Sequence, residues 1–187
     1  MFQYCPACGK KGIVLKGNRF SCPVCGFVYY HNTAAATGCL ICVPDTDGPD
    51  QKSGEKFVFL VRGNDPGRGM LDLPGGFVDP GEGVLEGLYR ELQEEIGWTP
   101  PVPEGTPLTE IFTLFASFPN VYTYKNIPYN TCDMYFSLCA PGLREQDLSL
   151  REGEIAAVRF LRPEEINYDE FAFDSTRRAV QAYLLLD

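Results

Sequence analysis

Residues 76–98 read GFVDPGEGVLEGLYRELQEEIGW. The apolar positions of this stretch recur at spacings of three, four and four residues: Leu85, Leu88, Leu92 and Ile96. That spacing predicts one amphipathic helix, and Gly97 is a typical residue to end it. The stretch follows a Pro74-Gly75-Gly76 turn, so the segment is expected to form a loop, a helix and a second loop.

Three carboxylates lie at the wrong end of this helix. Glu91, Glu94 and Glu95 fall in its last two turns, where the helix dipole disfavours acids and where they repel one another at the i,i+3 and i,i+4 contacts. A Glu-rich run is ordinarily a solvated face. Here the position, the repulsion and the adjacent glycine turn favour a divalent-cation site, because Mg²⁺ takes carboxylate oxygens and bridges substrate phosphates.

The segment resembles the Nudix box of the Nudix hydrolases, which cleave nucleoside diphosphates linked to another moiety. The matching positions are Gly76, Glu82, Arg90, Glu91, Leu92, Glu94, Glu95, Gly97 and Trp98. The resemblance implies an α/β/α sandwich and a loop–helix–loop that holds Mg²⁺ or Mn²⁺ against a pyrophosphate. It also implies that a backbone carbonyl near Gly76 completes the coordination of that metal.

The resemblance further implies roles for the charged residues. Glu91 and Glu95 would be the core metal ligands, and Glu94 a further ligand or the water-activating base. Arg90 would orient Glu94, and Glu82 would brace the site. The predicted reaction is metal-assisted hydrolysis of a P–O–P bond, in which the cation neutralises phosphate charge and lowers the pKa of the attacking water.

Two later features are expected to contribute to the site. Related enzymes often take a further metal-binding or base glutamate from a later loop, which makes Glu154 a candidate and Glu152 the alternate. Most aromatic residues in strands serve cross-strand packing. Tyr122 and Tyr124, between Asn120 and Lys125 in a predicted hairpin loop, are the candidates to stack on a nucleobase, which is worth about 1–3 kcal/mol per base.

Two copies of Cys-Pro-x-Cys-Gly lie near the start of the chain, with 13 residues between Cys8 and Cys22. Two Cys-x2-Cys pairs at about this separation, here completed by Cys5 and Cys25, are typical of a tetrahedral structural Zn²⁺. The segment resembles a zinc ribbon. We therefore expect a zinc ribbon over residues 1–33 and a Nudix hydrolase domain over residues 34–187.

The other four cysteines are predicted to be core residues rather than ligands. Cys39 and Cys42 lie in an apolar stretch that reads as a strand, and residues three apart on a strand point to opposite faces. Cys132 and Cys139 flank another such stretch and are expected to pack as small apolar side chains.

The remaining elements fit an α+β or α/β sandwich. Strands are predicted at residues 34–43, 57–62, 111–118, 121–124, 131–138 and 155–160, and a helix at 175–186 with Asp174 as its N-cap.

Charge and composition bear on partners and compartment. The chain has 187 residues and a net charge of −9, yet four of its 16 basic residues and none of its acidic ones precede residue 34. These four could contact RNA phosphates, but the acidic body disfavours broad nucleic-acid affinity. The first residues contain no apolar signal-peptide core, and no apolar run is long enough to span a bilayer. These features, with duplicated Cys pairs, predict a cytoplasmic protein, and the resemblance suggests a homodimer.

The sequence narrows the range of candidate substrates but does not identify one of them. A zinc ribbon ahead of a Nudix box is the layout of the NADH pyrophosphatases, but their Ser-Gln-Pro-Trp-Pro-Phe-Pro-like motif is replaced here by Ser-Phe-Pro-Asn at residues 117–120. ADP-ribose, another NADH-like nucleoside diphosphate derivative or a nucleoside triphosphate remain open. A non-hydrolytic nucleotide-sensing module is the alternative from another class, although such a module would be expected to lose the metal-ligand glutamates.

Overall fold

The fold is described from a computed structural model, which covers residues 3–45, 54–125 and 127–185. The first part of the chain forms a small antiparallel sheet of three short strands. These are β1 (Val14–Lys16), β2 (Arg19–Ser21) and β3 (Val28–Tyr30). The two Cys-x2-Cys turns lie outside these strands, before β1 and between β2 and β3.

A mixed six-stranded sheet forms the body of the described chain. Its strands are β4 (Ala34–Asp45), β5 (Gly54–Arg62), β6 (Leu71–Asp72), β7 (Thr113–Tyr124), β8 (Ile127–Cys139) and β9 (Ile155–Leu161). The order is β6-β5-β4-β8-β7, and β9 also pairs with β5. The β4–β8 pair is parallel and the other pairs are antiparallel. β7 therefore lies at one edge.

Two helices cover opposite faces of this sheet. Helix α1 (Val84–Ile96) packs with one set of buried strand residues and α2 (Asp174–Leu184) with the other. Cys39 belongs to the first core and Cys42 to the second, as expected from the alternation of side chains along a strand. The predicted sandwich of helix, sheet and helix is confirmed. Neither helix of the described residues is long and apolar enough to cross a membrane.

The structure differs from the sequence expectations at several places. The pattern predicts separate strands at residues 111–118 and 121–124, but β7 runs continuously through Pro119. Proline has no N–H to donate to a neighbouring strand, and an edge strand tolerates this because one of its sides faces solvent. Cys132 and Cys139 are exposed, so the core prediction for these two is wrong. Asp174 begins α2 rather than capping it, since Phe173 takes the N-cap position. Leu186 lies outside the described residues.

Candidate active site

Helix α1 is fixed at both ends by local hydrogen bonds. The Glu86 carboxylate accepts from the Gly83 N–H at 2.6 Å, which satisfies a free donor at the first turn. Gly97 ends the helix in the left-handed region at φ 61°, and its N–H donates to the Gln93 carbonyl. Leu88, Leu92 and Ile96 are fully buried. The apolar stripe therefore holds the helix against the sheet and leaves its charged face toward the glycine turn.

The glycine turn lies along the first half of β4. Thr37 N–H donates to the Gly76 carbonyl and Cys39 N–H to the Pro74 carbonyl, both at 2.8 Å. Gly75 has φ 148°, and a Cβ there would lie 2.1 Å from the Thr37 carbonyl oxygen, so only glycine fits. The Gly76 carbonyl, expected near a metal, is thus a hydrogen-bond acceptor within the sheet.

Gly76 also makes room for a carboxylate. A Cβ at this position would lie 2.6 Å from the carboxyl carbon and one carboxylate oxygen of Glu91, closer than van der Waals contact allows. The absence of a side chain at Gly76 therefore lets the Glu91 carboxylate lie against the turn.

Glu95 is the most enclosed carboxylate of α1, with 8% of its surface exposed. The Gly75 N–H donates to its Oε2 at 2.8 Å. Burial raises the pKa of Glu95 well above its usual value, and the charges of Glu91, Asp72 and Glu154 raise it further, while the Gly75 N–H opposes the shift. A cation at this place would offset the cost of ionising Glu95.

Arg90 binds the loop before the helix to the helix itself. Its guanidinium donates to both Glu82 oxygens, at 2.7 and 3.1 Å, and to the Phe77 carbonyl at 3.0 Å. It also donates to Glu91 at 2.9 Å, whereas its nearest Glu94 oxygen lies 3.6 Å away. The hydrogen bonds from Arg90 lower the pKa of Glu82. The sequence expectation paired Arg90 with Glu94, but its shorter contacts are with Glu82 and Glu91.

Glu94 and Glu154 meet at a second arginine. Arg151 contacts Glu94 at 3.2 Å and Glu154 at 3.0 Å. The Glu154 carbonyl accepts from Gly63 N–H at 2.7 Å, which anchors this loop beside β5. Burial raises the pKa of Glu91, and the charges of Glu94 and Glu154 contribute to that shift. The structure thus brings Glu154 to the carboxylates of α1.

The donor set fits a hard divalent cation in chemistry. The candidate ligands are carboxylate oxygens, which Mg²⁺ and Mn²⁺ prefer, and Glu91 and Glu95 are both withdrawn from solvent, with raised pKa values. The grouping is looser than in a preformed metal cage. Within the described ranges, the four N-terminal cysteines are the one group of three or more candidate ligands whose ligand atoms all lie within 4.8 Å of one another.

A cleft of about 90 Å³ borders the glycine turn, because Gly75 and Gly76 are among its lining residues. Tyr122 contacts two other aromatic residues of its lining: the ring centroid of Tyr122 lies 5.5 Å from that of Phe77 and 5.8 Å from that of Phe173. Tyr122 is therefore in the cleft, as a substrate-binding role requires. Tyr124 lies further along β7, is 46% exposed and stacks under the Lys125 ammonium at 5.0 Å, outside the lining of this cleft.

The four N-terminal cysteines have the geometry of a tetrahedral thiolate site. The Sγ atoms of Cys5 and Cys25 are 3.7 Å apart, and those of Cys8 and Cys22 are 3.8 Å apart. A tetrahedron with Zn–S bonds of about 2.3 Å has S–S edges of about 3.8 Å, whereas a disulfide needs about 2.05 Å. The Cys25 N–H lowers the pKa of the Cys22 thiol to about 7. The pKa of Cys25 is raised to about 12, because the neighbouring thiols outweigh the hydrogen bond from the Phe27 N–H; a bound metal would deprotonate all four thiols. The cluster can therefore hold zinc.

Sequence reasoning did not single out Arg151, Phe77 or Phe173. Phe77 lies inside the box, but nothing in the pattern distinguishes a wall residue from a core residue. Arg151 precedes Glu154 by three residues, which is a usable signal for an ion pair. Phe173 comes from the segment before α2, and its position beside Tyr122 depends on the tertiary fold.

Two curated proteins resemble parts of the chain. An ADP-ribose pyrophosphatase from Methanocaldococcus jannaschii is 45% identical over 56 residues, which are 30% of this chain and 32% of that protein. An NAD-capped RNA hydrolase NudC from Deinococcus radiodurans is 31% identical over 96 residues, which are 51% of this chain and 32% of that protein. Each match spans about a third of the relative's length.

Solved structures share the fold over most of the chain. A NUDIX hydrolase from Nitrosomonas europaea has a TM-score of 0.62 at 23% identity, covering 98% of this chain and 91% of that one. The NUDIX domain of Shewanella oneidensis NrtR in complex with ADP ribose has a TM-score of 0.61 at 17% identity, covering 84% and 91%. Residues 33–183 match the NUDIX domain itself, and the chain belongs to the NUDIX domain family.

Proposed function

We propose that this protein is a divalent-cation-dependent pyrophosphohydrolase that cleaves a nucleoside diphosphate linked to another moiety, with ADP-ribose as its substrate. The observation that carries the proposal is the position of the Gly75–Gly76 turn. This turn contacts the carboxylates of Glu91 and Glu95 and also lines the aromatic cleft together with Tyr122. A nucleoside in the cleft would thus place its diphosphate beside the carboxylates.

The choice of ADP-ribose rests on the relatives. One is named an ADP-ribose pyrophosphatase and matches at 45% identity over 56 residues, and a similar solved domain holds ADP ribose. The Ser-Phe-Pro-Asn sequence at residues 117–120 departs from the motif of the NADH pyrophosphatases, which favours ADP-ribose over NADH.

Glu91 and Glu95 would hold the cation, with Glu94 next to them. The bound cation would neutralise diphosphate charge and lower the pKa of the attacking water. In this arrangement Gly76 contributes space for Glu91. Its carbonyl oxygen accepts from the Thr37 N–H and has a second lone pair, with which it would complete the coordination of the cation.

The remaining side chains position these carboxylates and move the proton. Arg90 holds Glu91 against Glu82, and Arg151 holds Glu94 beside Glu154. Either Glu94 or Glu154 takes the proton from water, whose oxygen bonds to phosphorus as the bond to the bridging oxygen breaks. The products would be a nucleoside monophosphate and a phosphorylated second moiety.

The N-terminal module has a separate structural role in this proposal. Cys5, Cys8, Cys22 and Cys25 bind one zinc ion, which stabilises a ribbon over residues 1–33, and the hydrolase domain occupies residues 34–187. A closed shell of four thiolates leaves no open position for catalysis.

A product assay tests the reaction and the substrate together. The purified protein is incubated with ADP-ribose, NADH, a nucleotide sugar or ATP, each with Mg²⁺ or Mn²⁺, and the products are separated by anion-exchange chromatography. We expect AMP and ribose 5-phosphate from ADP-ribose at the highest kcat/KM. Pyrophosphate released from ATP at a higher kcat/KM would assign a triphosphate pyrophosphohydrolase. Tight binding with metal and no product would assign a non-hydrolytic module.

The proton acceptor is identified by a pair of variants. Glu94→Gln and Glu154→Gln are compared over a pH series at saturating metal. The variant that removes the base loses kcat and the acidic limb of the pH profile, whereas loss of a positioning contact lowers kcat with the profile unchanged.

A further inference from the structure

Two buried polar atoms on the floor of the cleft have no partner. Among the described residues, the buried side-chain oxygens and nitrogens without a hydrogen bond are Thr131 Oγ1 and Asp133 Oδ1. Thr131 is 2% exposed and Asp133 7% exposed. Buried polar groups are nearly always paired, so both oxygens point to a ligand that satisfies them.

The two residues are placed to act on one group. They lie two apart on β8 and therefore point to the same face, and both line the cleft. The β4 residues paired with them are Ala34 and Ala36, and the small side chain of Ala36 lines the cleft beside Asp133. Asn120, opposite Thr131 on β7, also lines the cleft.

Only one oxygen of Asp133 is available to a ligand. Its Oδ2 accepts from the Ser175 hydroxyl at 2.7 Å, with the Tyr135 hydroxyl at 3.4 Å. The carboxylate is thus held in place, with Oδ1 free to accept one hydrogen bond. The Thr131 hydroxyl can donate another. A ligand with one donor beside one acceptor satisfies both side chains at once.

The walls of the cleft limit the shape of that ligand. Phe77, Tyr122 and Phe173 present aromatic rings beside the floor, which suits a flat group that stacks. A flat heterocycle with a donor beside an acceptor on its edge is a nucleobase. Guanine would present two adjacent N–H groups, which suit both oxygens of a carboxylate. Asp133 offers only one carboxylate oxygen, with the Thr131 hydroxyl as a donor nearby. The exocyclic amine and the adjacent ring nitrogen of adenine match this pair.

We propose that Thr131 and Asp133 select adenine as the base of the substrate. Asp133 Oδ1 accepts a hydrogen bond from the exocyclic amine of adenine, and the Thr131 hydroxyl donates one to the neighbouring ring nitrogen. This assignment rests on the proposed function, since it requires the nucleoside end of the substrate to enter the cleft. Hypoxanthine has an oxygen in place of the amine and would face the carboxylate with a second acceptor, so the site rejects it.

The test is a comparison of AMP and IMP binding by calorimetry, without metal, in three proteins. The wild type is expected to bind AMP more tightly by on the order of tenfold. In Asp133→Asn, Ser175 keeps the amide oxygen on its side, so the NH₂ group faces the ligand and the preference reverses toward IMP. Asp147→Asn makes the same change at an exposed residue outside the lining of this cleft, and it is expected to keep the wild-type ratio of AMP affinity to IMP affinity.

A second pair of variants guards against loss of folding in Asp133→Asn. Thr131→Val removes the hydroxyl with little change of shape and is expected to weaken AMP binding several-fold, and Thr131→Ser restores it. Equal binding of AMP and IMP in the wild type, an unchanged ratio in Asp133→Asn, or no measurable binding of either nucleotide overturns the assignment.

The outcome is separable from that of the proposed function. Binding of a monophosphate needs no hydrolysis, so AMP selectivity without turnover of ADP-ribose contradicts the proposed reaction and supports the base assignment. Turnover of ADP-ribose and its hypoxanthine analogue at equal kcat/KM contradicts the assignment and leaves the reaction standing.

Discussion

Replacing Arg90 with lysine is expected to damage activity far more than folding. Arg90 spans three groups at once: Glu82, Glu91 and the Phe77 carbonyl. Lysine keeps the charge but presents a single ammonium without the planar fork, so it can hold one of these carboxylates and must release another. The carboxylate of Glu91 then loses its fixed position beside the glycine turn.

The magnitude follows from the hydrogen bonds that lysine cannot make. A hydrogen bond to a charged group contributes about 1.5–3 kcal/mol when buried, but the Arg90 side chain is 28% exposed, so solvent screening reduces this to about 1–2 kcal/mol in total. For a chain of this size that lowers Tm by about 2–8 °C. Displacing a ligand carboxylate by about 1 Å lowers kcat by on the order of 100-fold.

The assay measures kcat, KM for ADP-ribose and Tm for Arg90→Lys beside a matched control. Arg159→Lys changes the same residue type in the exposed pair with Glu170 and is expected to keep kcat and Tm. Activity of Arg90→Lys within about threefold of the wild type would refute the reasoning, because the fork geometry of Arg90 would then not be needed.

Three further predictions concern the metal sites. The protein should contain about one zinc per chain by atomic emission, Cys22→Ser should lose it, and the exposed Cys132→Ser should keep it; a full zinc content in Cys22→Ser contradicts the four-thiolate site. Gly76→Ala should lower kcat by on the order of tenfold or more with a modest change in Tm, because the new methyl displaces Glu91; unchanged turnover would show that this contact does not matter. A carboxyl whose pKa is raised on folding binds more protons in the folded state, so stability is lost as pH rises from the unfolded Glu pKa, about 4.3, through the folded pKa. Without metal, Glu95→Gln should accordingly be more stable than the wild type at about pH 8, with the difference vanishing in acid, and urea titrations at both pH values check it. With Mg²⁺ the same variant should be inactive.

Local patterns in the sequence were enough to predict the helix that carries the candidate site and the cluster of four cysteines. The apolar spacing of Leu85 to Ile96 and the stop at Gly97 predict α1 nearly to the residue, since packing and capping are both local here. Within each of the two Cys-x2-Cys turns, local backbone geometry likewise places the two thiols close together. Both features depend on residues close together in the chain.

The cleft could not be predicted, because its parts come from distant segments. Asp133 is a charged residue within an apolar strand pattern, which is a usable warning sign. Its partner Ser175 lies 42 residues away, however, and the aromatic wall joins Phe77, Tyr122 and Phe173 from three different segments. The prediction of a strand break at Pro119 is wrong for a related reason. An edge strand tolerates proline, and only the order of strands in the sheet decides which strand lies at the edge.

The most direct test of a cation-dependent pyrophosphohydrolase is the turnover of ADP-ribose with Mg²⁺ by wild type, Glu95→Gln and Glu86→Gln. The two variants make the same chemical change on the same helix, but Glu86 lies at the first turn, where glutamine still accepts from the Gly83 N–H. We predict AMP formation by the wild type and Glu86→Gln, and a loss of at least about 100-fold in kcat for Glu95→Gln. No AMP from the wild type, or undiminished kcat in a folded Glu95→Gln, would contradict the proposed reaction.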